Sequence, residues 1–143
     1  MSIQTLICFD FGIKRIGIAS GQVITRTASP LGIITCHNEK PDWVAIEQVI
    51  KDWGPDALVV GVPISMDGSS QEMTQKANQF MRQLEGRYRL PVYSVDERLS
   101  TFEAKSRSGM ENRIDAVAAQ AILETWFAEN RDKYINDRAP DTE

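Results

Sequence analysis

Apolar residues along the first 36 positions fall into short runs divided by turn residues. Residues 3–10 (IQTLICFD) form a β-prone run that Gly12 breaks, and 15–20 (RIGIAS) open a second. Together they predict a hairpin turning at Gly12-Ile13-Lys14. A third strand is expected within Val23–Cys36, interrupted near Pro30. From Pro41 the period changes: Trp43, Ile46, Val49, Ile50 and Trp53 recur at helical spacing, and Gly54-Pro55 supply a stop. ALVVGVP (57–63) is an uninterrupted apolar run, the pattern of a strand covered on both faces.

Ser69-Ser70-Gln71-Glu72 has the form of a capping box. It introduces a long helix with Met73, Ala77, Phe80, Met81 and Leu84 on one stripe and Gly86 as its expected end. Leu90–Val95 predicts another strand, running into Asp96-Glu97-Arg98, and a short helix is expected from Ser100 or Thr101 to Arg107. The final helix, about Asn112–Asn130, is apolar almost all round and should pack deep against the sheet. The order β-β-β-α-β-α-β-α-α predicts an α/β domain, an antiparallel hairpin extended by parallel strands with helical crossovers. No internal repeat or interior linker interrupts it. The expected organisation is one domain over 1–130 and a polar tail over 131–143.

Composition alters this picture little. At 143 residues with 42% hydrophobic and 25% charged positions, the chain reads as an ordinary globular protein with room for one full core. No apolar run is long enough to span a bilayer and MSIQTLICFD has no signal-peptide pattern, so a cytoplasmic protein without a membrane partner is expected. Cys8 and Cys36 read as reduced, packed thiols, and two cysteines with one histidine make no zinc set. His37 is expected at a surface or strand end. The net charge of −4 gives no global footprint for nucleic acid, so any such partner must meet a local cluster of basic residues.

Three groups of acids occupy positions that core packing does not explain. Asp10 stands among apolar neighbours at the end of a strand, where an isolated charge is costly unless it is paired or bound to a metal. Asp96-Glu97 follow another strand, at the edge where α/β sheets place ligands. Asp115 begins the most apolar helix. Taken singly, each has a plain explanation: Asp10 accepts hydrogen bonds from the Gly12 turn, Asp96-Glu97 pair with Arg98, and Asp115 suits a helix dipole. Taken together, converging carboxylates would repel one another unless cations stood between them. All-oxygen ligands suit Mg²⁺ or Mn²⁺, and two such ions would promote phosphodiester cleavage. Lys14, Arg15, Arg98 and Arg113 are candidate contacts for substrate phosphates. Gly12, Gly61 and Gly68 are candidates for loops where backbone approaches substrate, and Trp43, Trp53 and Trp126 fall on helix stripes as core.

Four ordered motifs carry a family resemblance: D10-F-G-x-K-R-I-G-x-A19, G61-V-P-x-x-M-D-G-S69, D96-E-R-L-S-T101 and D115-x-x-A-A119. They resemble the YqgF (RuvX) family of the RNase H-like superfamily, over roughly residues 5–127. The resemblance implies an RNase H-like fold, a five-stranded mixed sheet with helices on both faces. It implies a metal-dependent nuclease acting in maturation of the 5′ end of pre-16S rRNA, with Holliday junction resolution as the alternative. The family's catalytic and metal-binding acids fall on Asp10, Glu97 and Asp115, with Asp96 in support because neighbours on a strand point to opposite faces. RNA is the expected partner, branched DNA the second choice, and the expected state is a monomer or homodimer. Two other classes compete: a nucleotide-binding module, and a non-catalytic protein of the ribosome or transcription machinery. The segment Ala104–Ile114 is shorter than the family's, and Ser65 stands where Asn is frequent.

Overall fold

The computed structural model describes residues 3–62, 71–97 and 111–130. Five strands, β1 (Thr5–Asp10), β2 (Arg15–Gln22), β3 (Thr27–Thr35), β4 (Ala57–Val62) and β5 (Val92–Asp96), form one sheet in the order β3-β2-β1-β4-β5. β2 runs antiparallel to β1 and β3, while β4 and β5 continue from β1 in parallel. The helices are α1 (Trp43–Trp53), α2 (Gln71–Tyr88) and α3 (Glu111–Glu129). The expected mixed sheet is therefore the observed one.

Strand alternation divides the core into two layers. Ile7 and Phe9 of β1, with Leu58, Val60 and Val62 of β4, pack beneath Ile46 of α1 and Ala77, Phe80 and Leu84 of α2. Leu6 and Cys8, with Ala57 and Val59, face Ala119, Ile122, Leu123 and Trp126 of α3. Both faces are covered, which is why all six β4 residues are buried. The close seat of α3 depends on missing side chains. A Cβ on Gly17 would lie 2.0 Å from the Asp115 carbonyl oxygen, and one on Gly61 2.4 Å from Ile122 Cδ1.

Local signals set the boundaries. The Asp42 carboxylate caps α1 by accepting from the Ala45 N–H at 3.2 Å, and Gly54 ends it in the left-handed region. Pro30 interrupts no strand: β3 runs through it at the sheet's edge, with a register shift opposite Ile18 and Ala19. Three further expectations need correction. Gly86 does not end α2, which continues to Tyr88; Arg89 ends it instead with φ 55° and an N–H donated to the Glu85 carbonyl. Trp53 is 41% exposed, because it is the last residue of α1 and lies past the turn packed on the sheet. The strand placed over Leu90–Val95 begins at Val92. The short helix expected after Ser100, and Ser69-Ser70 of the capping box, lie outside the described residues.

Candidate active site

The hairpin places Asp10 at the C-terminal end of β1, in register with Gly17 on one side and Gly61 on the other. By alternation from Leu6 and Cys8, its side chain belongs to the α3 face. β5 reaches the same edge through β4, where Val62 pairs with Asp96. Val95 packs on the α3 layer, so alternation puts Asp96 on the opposite face and returns Glu97 to the side of Asp10. α3 brings Asp115 one turn in from its start, over Gly17. Sheet order thus collects three acids distant in sequence.

These acids line one open cavity of about 330 Å³, together with Lys14 and Arg15 from the hairpin turn. Asp96 is not among the lining residues. The Asp10 and Glu97 side chains are hydrogen-bonded to each other and share a proton. Burial, then the Glu97 charge, then that hydrogen bond and the Asp115 charge push the Asp10 carboxyl up to about 8. Burial also raises Glu97, opposed by the bond from Asp10. The Asp10 partner is therefore Glu97 and not the Gly12 turn. Arg15 donates from Nε to Asp115 Oδ2 at 2.6 Å, a partly exposed ion pair closing a separation of 100 residues.

Among the described residues, no three His, Cys, Asp or Glu side chains stand in an arrangement ready to hold a metal. The donor chemistry nevertheless fits a hard divalent cation. Asp10 and Glu97 are half-buried acids kept together by a proton, and the third carboxylate is engaged by a guanidinium. A proton and an arginine here offset negative charge that a cation would also offset.

The remaining candidates separate. Gly12 lines the cavity, and a Cβ there would lie 2.5 Å from the Arg15 carbonyl oxygen, so its absence permits the tight turn. Gly61 lies inside β4, where its missing side chain accommodates α3. Arg98 and Gly68 lie outside the described residues, and Arg113 stands in the first turn of α3. Sequence reasoning overlooked Phe11 and Met73, both of which line the cavity. Met73 was read only as core; its place at the start of the α2 stripe is the available signal, since that end of the helix meets the edge where β1 and β5 finish.

A mixed sheet in this order, covered on both faces, with acids gathered at the ends of β1 and β5, defines a protein of the RNase H-like fold. A solved structure of T. thermophilus RuvC in complex with Holliday junction substrate shares it: TM-score 0.54, 13% identity, 88% of this chain and 95% of that one. Residues 4–129 match RuvX, described as Holliday junction resolvase, and the chain belongs to that family. Curated relatives carry a provisional designation as pre-16S rRNA nuclease. One from Azotobacter vinelandii is 48% identical over 88% of this chain and 94% of its own length. Another, from Pseudomonas fluorescens, is 46% identical over 91% and 96%.

Proposed function

We propose that the protein is a metal-dependent nuclease that hydrolyses phosphodiester bonds in structured nucleic acid, with the 5′ region of the 16S rRNA precursor as its substrate. The observation that carries this reading is the meeting of Asp10, Glu97 and Asp115 in one cavity with Lys14 and Arg15. Its relatives' designation supports the choice of RNA.

Asp10 and Glu97 would hold Mg²⁺ or Mn²⁺, and Asp115 would join them once Arg15 releases it. When bound, such ions lower the pKa of water and offset charge on the phosphate, the two-ion arrangement being the reading the acids favour. The chain's own residues do the rest. The proton between Asp10 and Glu97 leaves before the pair can take up a cation. Arg15, exchanged from Asp115 to a phosphate oxygen, keeps a charged partner throughout, and its fork suits that oxyanion. Lys14 adds a second cation beside it. Asp96, directed away from the cavity, acts through its charge on Glu97.

Incubation of purified protein with a 16S precursor transcript and Mn²⁺ tests this. Cleavage by wild type, lost by more than a hundredfold in Asp10→Asn and Asp115→Asn, is expected; equal products from all three would overturn it. The family's description favours a second substrate, the four-way DNA junction. Cleavage of a junction in preference to both duplex DNA and the transcript would select that reading.

A further inference from the structure

A second cavity of about 460 Å³ opens on the other side of Phe11. Phe11 lines both cavities and packs on Phe80 with ring centroids 5.0 Å apart, so one buried residue borders the two. The new cavity lies between α2 and the segment joining β3 to α1. Gln79 and Gln83, one turn apart on α2, line it with the cations Lys40 and Lys76. Trp43 also lines it, and has Arg87 4.1 Å over its ring and Phe80 at 5.6 Å, so the aromatic wall is already stacked and firm.

The mouth is held in an uncommon conformation. His37 and Lys40 exchange backbone hydrogen bonds of 2.9 and 3.0 Å around Asn38-Glu39, whose φ values are 54° and 63°. Such a two-residue turn ordinarily favours glycine at its second position. Glu39 is kept there with its carboxylate accepting from Lys76 Nζ at 2.9 Å. Among the described residues lining the cavity, that ion pair leaves Lys40 as the cation to offer an anion. In a chain of net charge −4, this is a local basic site next to the acidic one.

We infer that this cavity is a subsite for one unpaired nucleotide of the substrate strand, adjacent to the nucleotide whose phosphate enters the acidic cavity. The inference rests on the nuclease reading for its substrate, but its chemistry stands apart from catalysis. The volume lies in the range of small-ligand sites, and its exposed rim of Lys40, Gln79 and Gln83 is open to the edge of a base that is unpaired. Two carboxamides at i and i+4 offer paired donors and acceptors of the kind that meet a base edge, and Lys40 meets the phosphate. A strand crossing Phe11 would engage both cavities at once.

The test uses a fluorescent 12-nucleotide single-stranded RNA, the same sequence in DNA, and the full chain as wild type, Lys40→Glu, Lys40→Arg and the pair Gln79→Ala/Gln83→Ala. Binding should weaken about tenfold in Lys40→Glu and in the glutamine pair, with Lys40→Arg restoring the wild-type value. In cleavage assays KM should rise by the same factor with kcat unchanged, since the subsite holds substrate and transition state alike. Unchanged RNA and DNA affinity in both the Lys40→Glu and the glutamine variants overturns the subsite. Variant-sensitive binding by a wild type that cleaves nothing would instead overturn the nuclease reading and leave the subsite standing. A preference for RNA over DNA that the glutamine pair abolishes would place the sugar hydroxyl in this cavity.

Discussion

Asp10 is where the physical chemistry of the chain is most concentrated. Its carboxyl is buried beside Glu97 and is raised from the ordinary 3.8 to about 8. A raised carboxyl means that the folded protein binds a proton the unfolded chain has already lost. That contribution to stability is fully present below pH 3.8 and declines as pH rises towards 8. Asparagine keeps the shape and never ionises. The melting temperature of metal-free Asp10→Asn should therefore match wild type near pH 4 and exceed it at pH 8, by on the order of 5 °C. Millimolar Mn²⁺ should stabilise wild type at pH 8 and leave the variant unmoved. Thermal melts at several pH values, with and without the ion, check both signs. A variant less stable than wild type at pH 8 without metal would show that the buried pair is not under repulsion. Burial, and after it the charges of Asp10 and Glu97, raise the Cys8 thiol, so it stays protonated and unreactive.

At the scale of elements, the strands and the described helices from Pro41 onward were legible because period and stop signals are local: 3.6-residue stripes, Gly54-Pro55, the all-apolar β4. Gly86 misled because a glycine with open space around it is tolerated inside a helix, while Arg89 took the left-handed ending. Convergence of the acids could be suspected from their places at strand and helix ends, and motif order named which of them to join. That Asp10 meets Glu97 depends on β1 and β5 both flanking β4, and nothing in either strand's residues announces its neighbour. Arg15 with Asp115, and the second cavity, are likewise products of packing. Helix α3 shows what that packing needs. Gln120 donates to the Ala28 carbonyl at 2.9 Å, and Gly17, Gly21 and Gly61 clear its path. Gly17→Ala would drive a methyl group into the Asp115 backbone, so α3 must shift away from β2. A loss of about 1–3 kcal/mol in denaturant unfolding is expected, with metal affinity reduced because Asp115 moves with the helix. Gly86→Ala, in open space within α2, should stabilise by roughly 0.5–1 kcal/mol and serves as the opposite-sign comparison.

The molecule as a whole carries net negative charge and yet is read as a nucleic-acid enzyme, so its field must repel the substrate that its site attracts. Among the described residues no helix is long and apolar enough to cross a membrane, and no broad basic face is needed if contact is confined to the hairpin turn and the α2 cavity. Lys14, Arg15 and Lys40 would then account for most phosphate neutralisation. Three contacts to a single strand correspond to a slope of about −2 in log Kobs against log salt, far shallower than proteins that grip DNA across a basic face. Divalent ions should matter more than dilution of salt, because they reverse the sign of the acidic cavity where the phosphate enters. Binding of the 12-nucleotide RNA to a cleavage-inactive Asp115→Asn chain, titrated across salt, should give that shallow slope. Wild type followed with Ca²⁺ in place of Mn²⁺ should bind at least tenfold more tightly than metal-free protein. A slope steeper than about −5 would mean that further cations outside these two cavities hold the strand, and would move the substrate path away from Phe11.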